Sequence, residues 1–200
     1  MTYADVGQVR ARLLVTPPVA EPVGVDELRR HLRLPDGTED GLLLAYLHAA
    51  RERVEHDARR QLVAATWKFF ANSFPPCSMS LRVPLGRLLS VSALTYLDPS
   101  GVRQTLAGGD YYAVTSEEPG RLHPTWGESW PCCRVQPESV QVTARVGYGD
   151  AADDVPRALR QAILMLAGDL YERREAQLDV APVTNPAVEA LIRSHTVYDF

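Results

Sequence analysis

Lysine is almost missing from this chain: of 21 basic residues, only Lys68 is not arginine. The bias fits either a GC-rich coding genome or a use for planar, bidentate donors at interfaces, and composition does not choose between them. Cysteine is scarce too. Cys77, Cys132 and Cys133 make an odd count with an adjacent pair, which is no disulfide framework and points to free thiols in a reducing compartment. There is no CxxC and no histidine at finger-like spacing, so a zinc site is not expected. A run of about 18 apolar residues, enough to cross a bilayer, is absent. Met1 to Arg12 has no apolar h-region, so export by a signal peptide is not expected either. Positive charge is also short: a net charge of −4 argues against a protein built to grip nucleic acid electrostatically.

What is present is ordinary for a folded domain. The 200 residues are 46% apolar and 23% charged, enough for one substantial core with a sizeable insertion and too apolar for general disorder. The first 22 residues read as an arm. Leu13, Leu14 and Val15 run into Thr16-Pro17-Pro18, and Pro22 follows; prolines this dense forbid a helix and favour extended backbone. An arm of this kind buries little by itself, so it is expected to be either disordered or laid on a neighbouring molecule.

A short helix is predicted over Val25 to Leu34, with Val25, Leu28 and Leu32 on one face and Pro35-Asp36-Gly37 as its stop. Asp36 or Thr38 then caps a longer helix whose apolar stripe is Leu43, Leu47, Ala50, Val54, Ala58 and Leu62. Arg51, Glu52, Glu55, Arg59 and Arg60 take the opposite face, with Glu55 and Arg59 at ion-pair spacing. From Thr66 the period becomes two. Strands are predicted at Trp67 to Phe70, Leu81 to Leu85, Leu89 to Leu97, Val102 to Leu106, Tyr111 to Thr115 and Val140 to Val146. Asp98-Pro99-Ser100-Gly101 suits a type I turn closing a hairpin. Pro119 to Arg134, rich in Pro, Gly and Trp, reads as loop.

Asp153 and Asp154 lead into Val155-Pro156 and a helix to about Glu175. Its apolar positions Val155, Leu159, Ile163, Leu166 and Leu170 are widened by Leu164, Met165 and Ala167, so the helix is either deeply buried or shared with a partner. Ala176 to Asn185 reads as a linker and Pro186 to Ser194 as a short helix. Tyr198-Asp199-Phe200 places two aromatics on a loose end, a pattern suited to docking into something else.

Catalytic readings find little support. Gly147-Tyr148-Gly149-Asp150-Ala151-Ala152 satisfies a dinucleotide-binding pattern formally, but Asp150, Asp153 and Asp154 crowd the helix start where a pyrophosphate would sit. Glu117-Glu118 and Asp153-Asp154 are sequence neighbours, better explained as a solvated loop and a helix cap than as acid–base dyads. The histidines, His31, His48, His56, His123 and His195, are scattered; His48 and His56 lie on one long helix, where a solvated or interface role outweighs a ligand pair. Trp126 and Trp130 lack the basic interleaving of a single-strand platform and read as loop packing. No catalytic residue, cofactor or metal is expected.

The order of these pieces resembles the head–tail connector (adaptor) family of tailed bacteriophages and gene transfer agents, in the branch with a β insertion. The matching residues are Pro22-Val23-Gly24-Val25-Asp26-Glu27-Leu28 with Arg29-Arg30-His31-Leu32-Arg33, then Ala49-Ala50-Arg51-Glu52-Arg53-Val54-Glu55. They continue with Pro84-Leu85-Gly86, Ser90-Val91, Tyr96-Leu97-Asp98, Gly147-Tyr148-Gly149, Val155-Pro156, Ala162-Ile163, Tyr171-Glu172-Arg173-Arg174-Glu175 and Val188-Glu189-Ala190-Leu191-Ile192. The resemblance implies an α+β fold: a bundle of about four helices with a β-rich insertion between the second and third, plus extended arms at both ends. The expected parts are an arm at 1–22, a connector domain at 23–175 (helical core 23–64 and 150–175, insertion 65–149), and a portal-docking segment at 176–200. It further implies a structural virion protein, assembled in the bacterial cytoplasm. In such a family the ring, usually of twelve copies, joins the portal to stopper or tail-completion proteins and passes double-stranded DNA without specific binding. Portal contacts are expected at Leu191, Ile192, Tyr198 and Phe200, and subunit contacts at Leu164, Met165, Tyr171 and Arg173. The alternatives are another virion assembly part, such as a stopper, or a small α+β enzyme or ligand-binding domain.

Overall fold

The computed structural model describes residues 7–35, 37, 39–173 and 185–198. They form two compact units. One comprises residues 7–18 and Ala64–Tyr148; the other holds the described residues of Val19–Val63 and Gly149–Tyr198. The class is α+β, with four α-helices and two antiparallel sheets.

In the helical unit, α1 (Val25–Leu32) begins after Gly24, which supplies no side-chain cap, so Asp26 and Glu27 are left to complement the dipole of the first turn. Arg33, left-handed at φ 57°, ends it. The second helix, α2 (Asp40–Ala58), buries Leu43, Leu47, Ala50, Val54 and Ala58, the stripe the periodicity predicts. It follows Glu39, held at φ 54°; the expected caps Asp36 and Thr38 lie outside the described residues. The helix stops a turn before Leu62. Arg59 turns left-handed at φ 53°, and the Arg60 amide donates back to the Glu55 carbonyl at 3.0 Å.

A single turn of 3₁₀ helix at Ala152–Asp154 leads into α3 (Arg157–Glu172), which buries Leu159, Ala162, Ile163, Leu164, Ala167 and Gly168. The last helix, α4 (Pro186–Arg193), is capped by the Asn185 side chain, which accepts from the Ala187 amide at 3.1 Å. Val188 and Ile192 are buried. Beyond α4, the Val197 amide donates to the Ala58 carbonyl at 3.0 Å and its side chain is buried. The chain end that the sequence presents as loosely tethered is therefore anchored on its own helices as far as Val197. One stripe of α4 and one valine suffice to hold it there.

Arginine joins these helices. Buried Arg29 bonds Asp26 and, from α1 across to the start of α2, Asp40. Arg160 on α3 reaches Asp153 at 2.6 Å and Glu27 on α1 at 3.2 Å. Arg51 on α2 holds Glu21 and Glu55, each at 2.9 Å. A planar donor with several N–H groups serves two carboxylates at once, which lysine does less well.

In the sheet unit, β1 (Val9–Thr16), β2 (Ala65–Ala71), β8 (Val140–Val146), β4 (Leu88–Leu97) and β5 (Arg103–Leu106) lie side by side in that order, all antiparallel. The second sheet is β3 (Leu81–Val83), β7 (Gly120–Pro124) and β6 (Tyr111–Val114). Central β8 buries Val140, Val142, Ala144 and Val146 while the residues between them stay half-exposed. These pack with Phe69, Leu81, Val83, Leu88, Leu94 and Leu122, so one core draws on both sheets.

Two expectations need correction here. Residues 9–16 are extended, as the prolines after them suggest, but they are not disordered: they pair with β2 of the same chain. The free edge of β2 offers backbone partners that residues 9–16 can satisfy within the chain. Second, the stretch taken as loop contains β7. Gly120, Leu122 and Pro124 are buried, but only leucine among them announces a strand. A Cβ at Gly120 would lie 2.2 Å from Leu88 Cβ, so glycine is required for the approach of β7 to β4.

Candidate functional site

The places where sequence patterns hint at chemistry are filled by the chain itself. A Cβ on Gly149 would lie 2.2 Å from Asp154 Oδ2, and that carboxylate accepts from the Ala151 amide at 2.9 Å. The position a phosphate would need is thus taken by a fixed negative charge. His48 sits 3.4 Å from Glu21, and Glu117 pairs with Arg121 at 3.1 Å. Among the described residues no group of three or more His, Cys, Asp or Glu is placed to hold a metal, and no helix is long and apolar enough to cross a membrane. Cys77, Cys132 and Cys133 are free.

The features that stand out are surfaces. β1 is an edge strand, exposed along almost its whole length. Leu13 lies opposite Lys68 and Leu14 opposite Trp67, so the two leucines point to opposite faces of the sheet. Leu13 is 57% exposed, Leu14 41% and Val15 50%. Arg10 and Arg12 are exposed on the same strand, with the Arg12 guanidinium 5.7 Å from the Trp67 ring centre. An apolar edge of this kind invites pairing with another chain.

The opposite edge of the sheet is built differently. Beside β5 lies a cleft of about 580 Å³, lined by Tyr96, Leu106, Asp110, Trp126, Glu128 and Trp130 among others. Trp130 forms a fixed wall: its ring stacks on Phe74 at 4.8 Å between centres and its indole N–H donates to the Met79 carbonyl at 2.8 Å. Trp126 does not share the loop-packing role expected for both tryptophans. It is 95% exposed, because the turn that carries it leaves nothing above the ring. The neighbouring β4–β5 turn is rigid. Gly101, at φ 90°, donates its amide to the Asp98 carbonyl at 2.9 Å. Hydrogen bonds from Ser100, Gln104 and the Val102 amide hold the Asp98 carboxyl down to about 2.

The expected contact residues divide. Leu164 and Ile192 are buried inside the single chain, so neither side chain is offered to a neighbour in this conformation; α3 and α4 cover them. Met165 and Leu191 are half-buried. Tyr171 is half-buried too, its hydroxyl donating to Glu39 at 3.1 Å and its ring edge-on to Tyr46. Arg173 is exposed at the end of α3 and Tyr198 is 52% exposed; Phe200 lies outside the described residues. The apolar edge at Leu13 to Val15 and exposed Trp126 were missed as surfaces. The signal for the first was three apolar residues with no polar alternation, which a half-buried strand would show.

The fold matches chains from the necks of gene transfer agent particles. Against a chain of "Neck of empty GTA particle computed with C6 symmetry", identity is 25% with a TM-score of 0.75. Against a chain of "Virion of native gene transfer agent (GTA) particle" it is 25% with a TM-score of 0.77. A chain of "Neck of native GTA particle computed with C12 symmetry" shares 24% identity with a TM-score of 0.76. Each match covers 96% of this chain and 97% of the other. No protein-family profile and no curated protein matches the sequence. These solved chains come from a particle neck and from a virion.

Proposed function

We propose that this chain is a structural virion protein, the head–tail connector subunit of a tailed phage or gene transfer agent. Copies of it, twelve in number, close into a ring between the portal and the stopper or tail proteins and extend the channel through which DNA passes. The observation that carries this reading is the end-to-end likeness to a neck chain, 96% of one against 97% of the other at 25% identity. The cyclic symmetry named for that neck supports a ring. The net charge of −4 supports a channel that lets DNA slide, since a lumen lined with cations would hold its phosphates.

In this role Leu191, Tyr198 and Phe200 contact the portal, and Met165, Tyr171 and Arg173 contact neighbouring subunits. Leu164 and Ile192 serve by shaping the helices that present them. The test is native mass spectrometry and negative-stain imaging of the purified protein, alone and with a portal protein from the same particle. Closed twelve-membered rings, free or formed on the portal, are expected. A compact monomer that ignores the portal and instead binds a metabolite would overturn the reading.

A further inference from the structure

From the two edges of the five-stranded sheet we infer the contact that closes the ring: β1 of one copy docks into the cleft beside β5 of the next. The inference rests on the ring proposed above and names the partner of this particular surface, a second copy of the same chain.

The two edges are complementary in chemistry. The β1 edge offers Leu13, Leu14 and Val15, apolar and exposed on both faces, together with exposed Arg10 and Arg12. The cleft at the other edge presents mostly polar surface, with exposed Asp110 and Glu128 among its lining residues, and an exposed indole, Trp126; Leu106 and Trp130 lie behind it, packed on the core. Basic and apolar thus meets acidic and aromatic. The cleft, about 580 Å³ in volume, is open to solvent and has room for side chains of a neighbouring strand. Arginine over an open indole adds a cation–π attraction.

The arrangement also has the right symmetry. An interface that uses the same patch twice gives a closed pair, whereas two different patches on one molecule give a chain that closes into a ring if the rotation permits. β1 and β5 are opposite ends of one sheet, so each copy carries one half of the contact on either side. Negative charge beside the cleft and positive charge on β1 set the polarity of the ring. Two β1 edges face to face would bring Arg10 and Arg12 against the same residues of the partner, which disfavours a two-fold pair.

The experiment compares the full-length wild type with Arg10→Glu/Arg12→Glu, with Glu128→Arg, with all three changes combined, and with Trp126→Ala. Ring formation, free or on the portal, is read by native mass spectrometry. Far-UV circular dichroism and melting confirm that each variant folds; Glu128→Arg and Trp126→Ala alter only exposed side chains. The expected result is loss of rings in the double and the Glu128→Arg variants, weakened rings in Trp126→Ala, and recovery in the combined variant. If all folded variants form rings as the wild type does, the β1–cleft contact is wrong while the ring stands. Singles that lose rings without recovery on combination also overturn the pairing. A wild type that forms no ring in either setting removes both proposals.

Discussion

Glu55 gives the sharpest test of how the helical unit is held, because its charge and its hydrogen bonds pull in opposite directions. One carboxylate oxygen accepts from Gln61 Nε2 at 2.6 Å and from the Leu62 amide at 3.0 Å; the other accepts from Arg51 at 2.9 Å. Burial pushes its protonation above the ordinary 4.5, and nearby Glu21 adds to that; the Leu62 amide and Arg51 oppose it without prevailing. Truncation in Glu55→Ala leaves the Leu62 and Gln61 donors without their acceptor in a buried setting. At ~1–3 kcal/mol for each of these two groups, the loss is about 2–6 kcal/mol. In urea, with a slope of ~2 kcal/mol per molar, the midpoint falls by about 1–3 M at unchanged slope.

Glu55→Gln keeps an oxygen for Gln61 and Leu62 and removes the ion that burial disfavours, but it turns an amide NH2 toward the Arg51 donor, so at pH 7 it costs less than Glu55→Ala without being stabilising. The pH dependence follows in sign. A carboxyl raised in the folded state binds its proton more tightly there than in the unfolded chain. The stability it contributes is complete below 4.5 and lost as pH rises through the raised folded value. Wild type therefore gains on Glu55→Gln as pH is lowered from 7 toward 4.5. A glutamine variant as damaged as the alanine one at pH 7, or a wild type that loses ground on acidification, refutes the reasoning.

Gly120→Ala places a Cβ 2.2 Å from fully buried Leu88 Cβ, an atom close to the backbone that cannot swing aside; a loss of ~1–3 kcal/mol is expected, seen as a lowered melting temperature. An unchanged melting temperature would mean the two strands are further apart. Asp98, held down to about 2, contributes stability to the hairpin above the ordinary 3.8 that disappears as pH falls through 2. An NMR titration of its side chain is expected to show a midpoint near 2 in the wild type and an upward move in Ser100→Ala. Trp130→Ala removes a wall of the cleft and its stack on Phe74; ~3–5 kcal/mol is expected from urea unfolding. Trp126→Ala, by contrast, leaves the midpoint unchanged, because its ring touches little in the free chain.

The long helices and the central strands were legible because their periods are strong: Leu43 through Ala58 in steps of three and four, Val140 through Val146 in steps of two. Helix ends were less so. Leu62 continues the α2 stripe in register and is buried, yet the chain has already turned at Arg59, a residue with no special taste for the left-handed region. Glu55 explains it: the carboxylate expected to pair outward with Arg59 turns instead to Arg51 and to the amide of Leu62. A contact of that sort depends on where the chain goes next, and spacing does not encode it. The same limit hid β7, whose strand character comes from Gly120 fitting under Leu88 rather than from β-forming side chains. It also hid the fate of the first strand, since prolines say that a segment is extended but not what it lies beside.

These corrections change where the energy of assembly has to come from. If the α3 stripe and the terminal helix had been left uncovered, they would have supplied the apolar area that drives one copy onto another. Instead Leu164, Val188, Ile192 and Val197 are spent within the chain, and the described residues of the helical unit keep apolar exposure scattered over Val19, Leu42, Leu44, Leu170 and Tyr198. Scattered leucines are the norm on any surface and drive little by themselves. Leu13, Leu14 and Val15 are different, since they are consecutive on an edge strand that no other described strand pairs on its outer side. An apolar edge left open costs solubility unless something covers it, so the proposed ring is best built through the sheet.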